Sequence, residues 1–210
     1  MKLTISLIII TTLIFIISLN NLDYFISNYG FSTSNFLGGK YYIIITSIFL
    51  HSGWSHLIYN MIALFFLGIV VEKNVGAWKY LLVYFVSGIA GNLSLFIPFF
   101  GYSSDTLAIG ASGAISGLVG LGAFMFPGEV VIFPTAFPIP FILAGVIFFL
   151  VNLSNLFNPS GIAYSAHLFG LLGGAFFGVV WGENRIKKIS VFILLLLLIT
   201  GIPLIIGYFL

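Results

Sequence analysis

Apolar residues run through this chain in long blocks, without the alternating stripes of a soluble fold, and polar residues collect in the gaps between blocks. A helix needs roughly 17 to 25 apolar residues to cross ~30 Å of hydrocarbon. Seven blocks meet that need, near residues 3–19, 55–71, 78–97, 109–126, 138–154, 163–181 and 189–209. They predict an all-α polytopic membrane protein. Lys2 precedes the first block as it would in a signal peptide, but Asn20-Asn21-Leu22-Asp23 offers no small-residue cleavage site. That block is therefore read as a retained helix.

The connection between the first two blocks, about 35 residues, is too long for a simple loop. Its later part, Tyr41 to Leu50, is apolar and β-branched, about half a span in length. It is expected to lie in the interface or to re-enter the membrane, packed on protein. Pro127-Gly128 and Pro138-Ile139-Pro140 bracket the other loop of note. No soluble domain or soluble-type repeat interrupts the pattern, so one membrane domain is expected.

Composition strengthens this picture. With 60% hydrophobic and 6% charged residues and a mean hydropathy of +1.22, 210 residues carry too few polar side chains to coat a soluble particle. The net charge of +2 forms no basic patch, which argues against nucleic acid as a partner. Without cysteine there is no disulfide, thiolate metal site or cysteine nucleophile. The basic residues set an orientation. With the amino terminus in the cytoplasm, Lys2, Lys73, Lys79, Arg185, Lys187 and Lys188 lie inside and only Lys40 outside. The carboxyl terminus then faces out, and spans two, four and six each begin on the outer side.

That direction brings scattered polar residues to one depth. His56 and Asn60 open span two, Ser112 opens span four, and His167 stands early in span six, all in the outer third of the membrane. His56 and Asn60, four apart, share a helical face. A serine and a histidine at one depth in lipid suggest nucleophilic chemistry. Plainer readings exist. A Gly-x-Ser-Gly run also serves close helix packing, and His51 could be an ordinary interfacial side chain. His51, His56 and Asn60 could suggest a metal, but no thiol or nearby carboxylate completes a ligand set. A channel or transporter would also align polar residues, yet no charged residue lies in the interior of a span, Lys79 standing at the edge of 78–97, and no inverted repeat is evident.

His51-x4-His56-x3-Asn60, Glu72-Lys73-x2-Gly76, Gly110-Ala111-Ser112-Gly113 and Ala166-His167-x2-Gly170-x3-Gly174, in that order, resemble the rhomboid intramembrane serine proteases from about Tyr41 to Trp181. The resemblance implies a six-helix catalytic core over residues 1–182, with residues 183–210 as one appended transmembrane helix. It implies Ser112 as nucleophile and His167 as general base, a dyad without an acidic third member, and an oxyanion hole from the side chains of His56 and Asn60 and the Ser112 N–H. It implies no cofactor, single-span membrane proteins as substrates, and lipid as the surroundings. An inactive relative that binds and guides membrane proteins is the alternative.

Two positions depart from the family pattern. Tyr42-Ile43 stand where many rhomboids have Trp-Arg, and Ser116 stands where some have an aromatic residue stacked on the base, so His167 needs other packing. Physical chemistry supports the oxyanion assignment, since preorganised donors in a low-dielectric pocket are worth roughly 3 to 4 kcal/mol each. Asn60 is a permanent donor, neutral His56 can donate, and a helix amino terminus favours an anion. Gly110 and Gly113 are read as room for a substrate backbone. His167, Gly170, Gly174 and Gly178 share one face of span six. Ser112, Ser116 and Gly120 share one of span four, with Gly113 and Gly117 alongside, which predicts close packing of the two helices. Leu195 in span seven is read as lipid-facing.

Overall fold

A computed structural model describes residues 1–132, 137–158 and 161–209, and each of the seven apolar blocks falls on a helix. The helices are α1 (Lys2–Ser18), α2 (Leu22–Tyr29), α3 (Thr33–Leu37), α4 (Ile43–Thr46), α5 (Trp54–Val75), α6 (Ala77–Leu93), α7 (Ser112–Met125), α8 (Phe141–Ser154), α9 (Tyr164–Trp181) and α10 (Arg185–Phe209). Among the described residues, Trp54–Val75, Ala77–Phe96 and Tyr164–Trp181 are long and apolar enough to cross a membrane by length and composition. The apolar helices α1, α7 and α8 are shorter.

Helix α7 is the central pillar, packed on α5, α6, α8 and α9. Small residues permit this. A Cβ at Gly170 of α9 would fall on the backbone of Gly113 in α7, one at Gly174 on the Gly117 carbonyl, and one at Gly120 on the Leu171 carbonyl. The expected glycine stripes therefore meet backbone to backbone, where van der Waals contact supplies the attraction that the hydrophobic effect cannot supply in lipid. Helix α1 stands outside α5 and is held by one carboxylate. Glu72, 7% exposed, accepts from the backbone N–H groups of Leu3 (3.1 Å) and Thr4 (2.9 Å) and from the Thr4 hydroxyl (2.8 Å). The Met1 ammonium pairs with it as well. A carboxylate at a helix amino terminus neutralises the free N–H groups and the positive end of the dipole.

The long first connection is folded, not merely long. It contains α2, α3 and α4 and a 3₁₀ turn at Ser47–Phe49, with Ile43, Ile48 and Leu50 buried, so Tyr41 to Leu50 does pack on protein. Three bonds hold this segment in place. Asn92 of α6 donates to the Ile44 carbonyl (3.0 Å) and the Ser47 hydroxyl (2.9 Å), and Gly110 N–H donates to the Ser47 carbonyl (2.9 Å). Phe31 and Ala108 exchange backbone bonds of 3.0 and 2.8 Å, which fastens this connection to the segment leading into α7.

Two details differ from expectation. Residues 138–140 do not begin the fifth span but pair with Val130–Ile132 as a small antiparallel ribbon, because each proline disfavours helical backbone at the residue before it, Phe137 and Ile139. Leu195 is half-buried against the core, and the outward-facing neighbour on α10 is Leu197, 60% exposed. A uniformly leucine-rich helix gives no sequence signal of which face meets protein.

Candidate active site

Four elements deliver side chains to one cavity of about 680 Å³: α5 supplies His56 and Asn60, α7 Ser112, α9 His167, and the segment before α7 supplies Ile109 and Gly110. All four residues picked from the sequence line it. Ser112 is the first residue of α7, so its N–H has no acceptor within the helix. Its Oγ lies 2.8 Å from His167 Nε2, and Ser116, one turn on, donates to the Ser112 carbonyl at 2.6 Å.

His56 has a defined tautomer. The backbone N–H of Ser52 points at its Nδ1 (3.4 Å), with the Ser52 hydroxyl at 3.1 Å. A backbone N–H can only donate, so Nδ1 accepts and Nε2 carries the proton of the neutral ring. That Nε2 faces Gly110, whose φ of +115° is in the left-handed region and whose missing Cβ would collide with the imidazole. The Cβ direction at Gly110 is thus taken by His56, while Gly110 also lines the cavity. Gly113 likewise faces protein, with Ala166, Gly88 and Gly91 around it. Asn60, 7% exposed, spends one amide hydrogen on the His56 carbonyl (2.8 Å), leaving the other for the cavity.

His51 is not interfacial. It is fully buried with its ring edge-on to His56 at 4.8 Å, and neither ring nitrogen has a hydrogen-bond partner of good geometry. Burial, with His56 beside it, lowers its pKa to about 3 against a weak favourable contribution from the Phe49 backbone. It is therefore a neutral ring that backs His56.

Sequence reasoning missed Asn152. This residue of α8, 4% exposed, places Oδ1 2.8 Å from His167 Nδ1 while its amide donates to the Phe148 carbonyl at 2.7 Å. Phe148 and Tyr164 flank the imidazole at 6.0 and 6.3 Å between ring centres, the aromatic packing that Ser116 cannot offer. One signal was available. Asn152 is an amide within an otherwise apolar run, near the end of a span that returns toward the level where α7 begins.

Comparison with known proteins identifies the family. The model of the Rhomboid domain matches residues 38–184. YdcA of Bacillus subtilis is 36% identical over 151 residues, covering 71% of this chain and 70% of its own. Rhomboid protease GluP of the same bacterium is 32% identical over 167 residues, and Rhomboid protease AarA of Providencia stuartii 32% over 165. These matches cover 78% and 69% of this chain but only 31% of GluP and 57% of AarA. The chain belongs to the rhomboid family and is a membrane protein.

Proposed function

We propose that this protein is an intramembrane serine endopeptidase that cuts single-span membrane proteins with a Ser112–His167 dyad. The observation that carries the reading is the 2.8 Å contact between Ser112 Oγ and His167 Nε2 inside a cavity that also holds His56 and Asn60. Ser112 Oγ attacks the scissile carbonyl carbon as its proton passes to His167 Nε2. His167 then gives that proton to the leaving amine, and an ester to Ser112 remains. Water attacks the ester, its proton passes through His167 to Ser112, and the carboxylic product leaves. The oxyanion of each tetrahedral intermediate is met by His56 Nε2–H, the free Asn60 amide hydrogen and the Ser112 N–H. Residues 1–182 form the catalytic core on this reading, and residues 183–210 an appended helix.

The protein sits in the cell membrane with its amino terminus in the cytoplasm and its carboxyl terminus outside, following the distribution of basic residues. Purified protein in detergent is expected to cleave a generic single-span substrate, and Ser112→Ala to abolish the product. Cleavage that survives Ser112→Ala refutes the mechanism. A folded wild type that binds such substrates and cuts none would favour the inactive binding relative. Orientation is tested separately in intact cells. A cysteine at Ser103 should react with an impermeant thiol reagent from outside and one at Asn74 should not; both positions are exposed. Ser160, external on the same reading, lies outside the described residues.

A further inference from the structure

We infer that Asn152 is a positioning residue for the general base, holding His167 in the one neutral tautomer that can take the Ser112 proton. The inference rests on the serine-protease reading and extends it from two helices to three. The Asn152 amide is oriented from its own helix, because Nδ2 donates to the Phe148 carbonyl at 2.7 Å. Its Oδ1 is thereby turned toward His167 Nδ1 at 2.8 Å. A carboxamide oxygen can only accept, so Nδ1 of the neutral ring carries the proton. Nε2 is left with its lone pair 2.8 Å from Ser112 Oγ, and the hydroxyl donates to it.

The opposite tautomer would present Nε2–H to Ser112 and leave no base. Asn152 Oδ1 is the polar atom placed at His167 Nδ1, and Phe148 and Tyr164 stand beside the imidazole with ring centres 6.0 and 6.3 Å away. Asn152 is 4% exposed, so bulk water competes poorly for the Nδ1 proton. An amide also suits this place better than a carboxylate would. In the resting site His167 is neutral, and a buried carboxylate beside it would be an unpaired charge in a low-dielectric surrounding. The amide orients the ring without that cost, and the sequence places none of its acids beside His167 among the described residues.

The test reads the tautomer directly. In ¹⁵N-histidine-labelled protein in detergent, with the His167 signals assigned by their loss in His167→Gln, wild type should show Nδ1 protonated and Nε2 bare at neutral pH. Asn152→Leu, similar in shape but without an acceptor, should move the ring toward the Nε2–H form. Its kcat should fall about 10- to 100-fold with KM changed less than about twofold, on the scale of lost base orientation. Asn152→Gln keeps a neutral carboxamide acceptor on a longer stem and should keep more of the Nδ1–H form and a higher kcat than Asn152→Leu. A folded Asn152→Leu that retains the wild-type tautomer, or a kcat within about twofold, overturns the inference. Should Asn152→Leu fail to fold, Asn152→Ala decides in its place, and a folded alanine variant that retains the wild-type tautomer, or a kcat within about twofold, overturns the inference. The tautomer is measured without substrate. A protein that shows the tautomer switch but cleaves nothing would refute the protease reading and leave the hydrogen-bond assignment intact.

Discussion

Helices α7 and α8 are both 14 residues long and both apolar, yet α7 buries eleven residues and α8 five. In α7 the buried set runs all round the helix and includes Gly113, Gly117, Gly120 and Gly122. In α8 it is one stripe, Phe141, Ala144, Gly145, Phe149 and Asn152, while Ile142, Leu143, Val146, Ile147, Leu150 and Val151 face outward. A soluble helix marks its outer face with charge, but in lipid the outer face is as apolar as the core. The two helices differ in side-chain size instead. Every glycine of the two helices is buried, whereas most of the large aliphatic residues of α8 face outward.

Four substitutions probe that contrast. The largest effect is expected from Gly170→Leu, because any side chain there meets the Gly113 backbone rather than a movable side chain. It should wedge α9 from α7 and lower proteolysis by more than about a thousandfold, since misplacement by an ångström already costs about a hundredfold. Ordinary cleavage and fluorophosphonate labelling in folded Gly170→Leu would show that this face does not set the dyad. His56→Ala and Asn60→Ala, on the seam between α5 and α7, should each lower kcat roughly tenfold to a thousandfold with the melting temperature nearly unchanged. Full turnover in either folded variant would remove that side chain from the oxyanion hole. Leu150→Ala, 56% exposed on the outer face of α8, should change stability by less than about 0.5 kcal/mol and activity by less than about twofold. A loss there as large as in α7 would mean that size does not report lipid.

The sequence made Ser112, His167, His56 and Asn60 legible because lipid strips away most polar side chains, so those that remain at one depth stand out. The seven helices were legible for the same reason. Asn152 was visible as a polar residue but not as a partner of His167, because which way an amide faces on a lipid-exposed helix is a tertiary property. The folded first connection was hidden too. Asn92, Ser47 and the Ile44 carbonyl are far apart in the chain, and no periodicity encodes their contacts. The glycines were read correctly as close packing on α9; at Gly110 the vacant Cβ position is filled by His56, although the residue also lines the cavity. An absent side chain states that something comes near, not what.

The length of α7 has a consequence for the solvent. At 1.5 Å per residue its 14 residues rise about 21 Å, against about 33 Å for the 22 residues of α5 and about 27 Å for the 18 of α9. A lipid-facing helix that short would thin the bilayer around it. Helix α7 touches protein on every side, so its shortfall becomes a depression in the protein, and Ser112 forms part of its lining. If the proposed reaction holds, each bond cut consumes one water, and the depression that Ser112 lines is the place where that water meets the serine.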